Sequence, residues 1–92
     1  MITAFVMMNV ARDAINATAQ QLLSVPGVAE VYSVTGEWDL IAVLHLAQYE
    51  DLATVVTEHL RAIASIQRTQ TMLAFKAYSR EDLEQAWDLG VQ

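Results

Sequence analysis

The chain has no cysteine, a single proline and three isolated glycines among its 92 residues. Without thiols there are no disulfides, no thiolate catalysis and no cysteine-based metal sites, so a reducing cytoplasm is the simplest expected compartment. Gly27, Gly36 and Gly90 stand far apart. No glycine-rich phosphate loop follows a strand, and each glycine reads as a turn or cap. Basic residues are scarce: Arg12, Arg61, Arg68, Lys76 and Arg80, scattered along the chain, against a net charge of −6. Nucleic-acid binding needs a clustered basic surface, so direct contact with DNA or RNA is not expected. A long hydrophobic run is also missing. Ile2–Val10 is apolar but too short to span a bilayer, and no basic residue precedes it as in a signal peptide. Nor is there a metal-ligand cluster: His45 and His59 stand alone and read as structural or surface residues. Asp13, Glu50, Asp51, Glu58, Glu81 and Asp82 fall at expected helix starts or exposed faces, where they act as caps and solvated charge. No catalytic residue, metal or cofactor is expected.

What the chain has in excess is apolar side chain, 54% of residues against 17% charged. A single domain over 1–92 cannot hide that much apolar surface within itself, so oligomerisation is expected.

The pattern of these residues gives an order of elements. Ile2–Val10 is apolar in both alternating sets, as in a strand covered on both faces. A helix follows, with Asp13 as a candidate cap and Ile15, Ala19, Leu22 and Leu23 on one side, ended by Val25-Pro26-Gly27. Val28 to Thr35 reads as a second strand, Gly36-Glu37-Trp38 as a turn, and Asp39 to Ala47 as a third strand. The short link makes the pair an antiparallel hairpin. A second helix starts near Tyr49 and carries the stripe Leu52, Val55, Val56, Leu60 and Ile63. A fourth strand runs from about Gln67 to Tyr78. Ser79-Arg80-Glu81-Asp82 resembles a capping box opening a short last helix, whose Leu83 and Trp87 suit an intersubunit anchor. The result is an α+β, ferredoxin-like βαββαβ unit with an extra C-terminal helix. Two helices cover one sheet face only, so the other should meet a second copy face to face, with rings of dimers beyond that.

Two places carry polar chemistry. At the hairpin tip, Trp38 is costly to expose and should pack on a partner subunit or a ligand. Asp39 either caps turn amides or fixes a ligand-contacting loop. On the last strand Thr69 and Thr71 share a face. β-propensity alone explains them, but two adjacent hydroxyls also suit the carboxylate or amino group of a small polar ligand.

Val34-Thr35-Gly36-Glu37-Trp38-Asp39-Leu40 resembles the "TG-x-aromatic-D-apolar" signature of the Lrp/AsnC regulators, in their effector-binding or RAM domain. Leu23-x-x-Pro26-Gly27-Val28 is similar to that family's first-helix ending, and Ile66 with Thr69-x-Thr71 to its last strand. The resemblance runs to about Tyr78. It implies a dimeric α/β barrel, further assembly into rings, and an amino acid or similar small effector bound between dimers. Gly36, Trp38 and Asp39 would form the loop side of that pocket, and Thr69 and Thr71 the hydroxyl side. Family members of full length carry an N-terminal helix-turn-helix domain. This chain opens at the first strand and so resembles the stand-alone members, which sense a metabolite or assemble with full-length relatives. Trp38 stands where Tyr is more usual. The expectation is a non-enzymatic amino-acid-sensing domain in transcription regulation. The alternative is a small dimeric-barrel enzyme, monooxygenase- or isomerase-like, with His45 facing a polar cavity.

Overall fold

In a computed structural model, which describes residues 1–81, the chain runs β1 (Ile2–Val10), a 3-10 turn (Arg12–Ala14), α1 (Ile15–Leu22), β2 (Val28–Ser33), β3 (Leu40–Leu46), α2 (Tyr49–Thr54, continuing as a π-helix over Val55–Leu60) and β4 (Ile66–Leu73). The strands form one sheet in the order β2-β3-β1-β4, antiparallel at every pairing. This is the split βαβ plan that the order of elements predicts.

The alternation within β1 and β3 explains which residues face the helices. Ala4, Val6, Met8 and Val10 point to one side, beside Leu40, Ala42, Leu44 and Leu46, and all eight are buried. Leu22 and Val25 from the end of α1, with Val55, Leu60 and Ile63 from the α2 region, close this core. Each fully buried Val, Leu or Met contributes about 1.5–3 kcal/mol of hydrophobic stabilisation. In the π segment, i→i+5 bonding brings residues five apart nearly above one another. Val55 and Leu60 can therefore both face the core, which they could not do as well on an ideal α-helix. Asp51 stabilises the start of α2 by accepting the Gln48 backbone N–H at 3.2 Å.

Several expectations need correction. Asp13 caps nothing: the chain enters α1 through the tight turn at Arg12–Ala14, where the Ala14 N–H bonds Ala11 O at 2.9 Å, with no side-chain cap. Leu23 does not join the buried stripe and is 55% exposed. Thr18 is buried instead, and its hydroxyl pairs with that of Ser65 at 2.6 Å. β2 stops at Ser33 rather than Thr35, and β3 is one residue shorter at each end than Asp39–Ala47. β4 begins at Ile66 and ends at Leu73, well short of Tyr78. The reason lies in its partner. The last rungs are Ala4 opposite Leu73 and Ala74 N–H to Thr3 O, one residue from the start of β1 at Ile2. Arg80 and Glu81 are helical, where the last helix is expected to start, and the rest of that helix, with Leu83 and Trp87, lies outside the described residues.

Gly27 ends the α1 region with φ +93°, and a Cβ there would collide with the Leu46 side chain. The positive φ favours glycine at this turn, and the end of the Leu46 side chain would have to shift for any larger residue.

The face away from the helices carries Phe5, Met7, Ile41 and Val43 at its centre, flanked by Tyr32 and Met72. Tyr32 and Met72 are about half exposed, at 50% and 48%. No helix of the described residues covers this side. None is long and apolar enough to cross a membrane.

Candidate functional site

The β2–β3 hairpin leans over the end of β1 and the start of β4, and polar side chains hold it there. Asp39 joins three strands. Its backbone N–H donates to Met8 O and its carbonyl accepts from Val34 N–H, each at 3.0 Å. Its Oδ2 accepts the Val10 N–H at 3.0 Å and the Asn9 amide at 3.3 Å. Asp39 therefore bonds the neighbouring strand, which favours the loop-fixing reading over capping of the turn amides.

Asn9 works from the other side. Its Nδ2 donates to Glu37 O at 2.9 Å, and its Oδ1 accepts from Arg68 Nε at 3.1 Å. Arg68 in turn donates from Nη2 to Glu37 Oε2 at 3.2 Å, and its guanidinium carbon lies 4.4 Å from the centroid of the Trp38 ring. Trp38 is half-buried and packs against this cation within its own chain. A cation over an indole face is favourable by about 0.5–1 kcal/mol at exposed sites. Gly36 has φ +103°, and nothing lies within 4 Å of where its Cβ would be. The tip thus presents bare backbone to open space beside a fixed aromatic ring.

Sequence reasoning missed Asn9, Glu37 and Arg68 here. Asn9 had left one trace, as an amide in the otherwise apolar run Ala4–Val10. Arg68 left none, since its partners lie 59 and 31 residues away.

Gly36, Trp38 and Asp39 come together as expected. Thr69 and Thr71 share a face, also as expected, but it is the helix side of β4: they pair across β1 with Met8 and Val6. Arg68 and Asn9, paired with each other, lie on the opposite face. Leu40, Met8 and Thr69 form one row across three strands. Thr69 therefore stands two strand spacings, about 10 Å, from the start of β3. Both threonines are exposed, because the core covers β1 and β3 but stops short of β4. Thr69 borders a groove of about 410 Å³ between the π segment and β4, floored by Leu60, Ile63 and Ile66. One chain does not bring its two threonines against its own hairpin.

His45 is exposed at the end of β3, with the Thr3 hydroxyl 3.5 Å from Nδ1. It also borders a cleft of about 370 Å³ near Gly27, with Asp51 and His59. Among the described residues no three His, Cys, Asp or Glu side chains are grouped so as to hold a metal ion. On the same open face, Tyr32 donates a hydrogen bond to the Glu30 carboxylate. That bond, and then the carboxylate's charge, raise the phenol's pKa above its ordinary value.

Comparison with known proteins gives a consistent result. An HTH-type transcriptional regulator of Pyrococcus furiosus is 38% identical over 63 residues, which are 68% of this chain and 42% of that protein; the chain thus matches less than half the length of this relative. The crystal structure of TTHA0845 from Thermus thermophilus superposes with a TM-score of 0.82 at 44% identity, covering 87% of this chain and all of that one. A regulator from Neisseria meningitidis, NMB0573, solved as a complex with L-Met, shares the fold at 21% identity and a TM-score of 0.76, over 86% of this chain and 53% of its own. The family model of the Lrp/AsnC ligand binding domain matches residues 3–83, and the chain belongs to that family of transcriptional regulators.

Proposed function

We propose that this domain is a non-enzymatic sensor that binds an amino acid at its β2–β3 hairpin and reports the binding through its state of assembly. The observation that carries the reading is the hairpin tip. The backbone at Gly36 is open to approach, and its surroundings are held in one conformation by Asp39 and Asn9. Such a loop offers backbone hydrogen-bonding groups to a polar ligand without first having to be ordered. The L-Met complex of the Neisseria relative supports the amino-acid class of ligand.

The proposed hydroxyl side of the pocket, Thr69 and Thr71, faces away from the hairpin of the same chain. A neighbouring copy must then supply it, so that the effector sits between two dimers. Within each dimer, the uncovered faces bearing Phe5, Met7, Ile41 and Val43 pack together, which closes the α/β barrel. Ligand at the dimer–dimer contact biases the ring, and the effect reaches transcription through full-length regulators that carry a DNA-binding domain. This domain makes no DNA contact itself and works in the cytoplasm.

The test is a calorimetric titration of the protein with a panel of amino acids, repeated with Thr71→Val. At least one amino acid should give saturable heat. The variant should bind it about tenfold more weakly, with the assembly unchanged in sedimentation. A panel without heat refutes the sensor. Binding unaffected by Thr71→Val removes the hydroxyl side from the pocket.

A further inference from the structure

We propose that Arg68 is the residue that recognises the ligand's carboxylate, and that Glu37 occupies its guanidinium while the site is empty. This rests on the hairpin being an amino-acid site and adds which group of the ligand is selected.

A guanidinium carries five N–H donors in a planar fork. Here Nε is spent on Asn9 and one Nη2 proton on Glu37. The outer edge, Nη1 together with the second Nη2 proton, has no partner among the described residues, and two nitrogens side by side can grip a carboxylate with two parallel bonds. The fork is also already oriented. Trp38 lies against the guanidinium at 4.4 Å and Asn9 fixes its inner nitrogen. A ligand therefore meets an arginine whose flexibility has largely been removed, which spares the entropy usually lost on ordering it. Its position is apt, since the same group contacts Glu37 and Trp38, the two residues that follow Gly36.

Charge points the same way. The chain carries a net −6, and Arg68, from β4, sets a cation against the hairpin tip. Its pair with Glu37 is 56% and 70% exposed, a type of bridge that water and salt hold weakly. A carboxylate arriving at the fork can displace Glu37 with little penalty. A ligand without a carboxylate gains nothing from Arg68.

The experiment titrates wild type, Arg68→Met, Arg68→Lys and Glu37→Gln with L-methionine and with its decarboxylated amine. Circular dichroism and sedimentation confirm fold and assembly of each variant. If the panel selects another amino acid, that one and its own decarboxylated amine are used. Arg68→Met should lower amino-acid affinity about tenfold and leave any binding of the amine unchanged. Arg68→Lys should fall between, because an ammonium supplies charge without the fork. Glu37→Gln should tighten amino-acid binding about two- to fivefold by freeing the guanidinium. Undiminished binding to Arg68→Met overturns the assignment, as does equal loss of both probes, which would mean that Arg68 only shapes the loop. Weaker binding to Glu37→Gln overturns the competitor role. A wild type that binds no amino acid overturns the sensor and this assignment together, whereas binding that ignores Arg68 overturns this assignment alone.

Discussion

The carboxylate of Asp39 accepts the backbone N–H of Val10 at 3.0 Å, so a side chain takes the place of a strand rung where β1 and β3 part. The regular pairing of these strands ends at Met8 opposite Leu40. Beyond that point the Val10 N–H would face β3 without an acceptor. Asp39→Ala removes this acceptor and the one used by Asn9 together. The expected loss is about 1–3 kcal/mol, since a half-buried amide is left unpaired. Asp39→Asn keeps one oxygen and should lose less. Urea unfolding measures both, and an unchanged slope with a lower midpoint is the expected signature.

The uncovered sheet face gives a second prediction. Val43 lies opposite Phe5 at its centre, with Ile41 and Met7 in the next row. If two copies meet here, Val43→Glu places a carboxylate in a dry interface at a cost far above what a surface change causes. The variant should sediment as a monomer while its circular dichroism stays close to wild type. A wild type that is already a monomer at micromolar concentration removes the barrel and the intersubunit pocket with it.

Leu22 and Leu23 offer an internal comparison. Leu22 is fully buried and Leu23 is 55% exposed, although they are neighbours and look alike in the sequence. Leu22→Ala should cost about 2–5 kcal/mol, as expected for a cavity in a packed core. Leu23→Ala should cost less than about 0.5 kcal/mol in thermal or urea unfolding of the monomeric Val43→Glu background. A large effect at Leu23 there would mean that it packs in a way the fold does not show.

These residues also show how far the sequence reaches. The two-residue period of Leu40–Leu46 separated Leu40, Ala42, Leu44 and Leu46 from Ile41, Val43 and His45, because alternation is a local consequence of the pleat, whereas Ile2–Val10 is apolar in both sets and only the helices decide which set lies inside. The same rule placed Thr69 and Thr71 on one face. It could not say that this face lies opposite Arg68 or beyond the reach of the helices, since that depends on which strand lies next to which. The end of β4 was illegible for a similar reason: Phe75 and Tyr78 continue a strand-like pattern, but the register of Ala4 opposite Leu73 brings β4 to the start of β1 within two residues and leaves Tyr78 no rung to pair with. Thr18 can be buried because Ser65, 47 residues on, supplies a hydroxyl partner, and Leu23 lies just past the end of α1. In the candidate site, Gly36, Trp38 and Asp39 were legible as a motif. The residues that hold them, Asn9 and Arg68, are brought in only by the sheet order.

The Tyr32–Glu30 bond yields a pH prediction whose sign can be worked through. The carboxylate accepts the phenol's proton in a hydrogen bond, and its negative charge opposes a second anion beside it. Both effects favour the protonated phenol, so its folded pKa lies above the ordinary value of about 10. A group raised on folding contributes stability that is complete below its unfolded pKa and fades as pH rises through the folded one. The contribution should therefore be constant through neutral pH and disappear only in strong alkali. The pair is exposed, and the effect on overall stability should be small. The difference in ultraviolet absorbance between wild type and Tyr32→Phe isolates this phenol from Tyr49 and Tyr78. Its midpoint should lie above that of free tyrosine, and Glu30→Gln should bring it down toward the free value. A midpoint that Glu30→Gln leaves unmoved would mean that the shift arises elsewhere, for instance from burial of Tyr32 against a second copy.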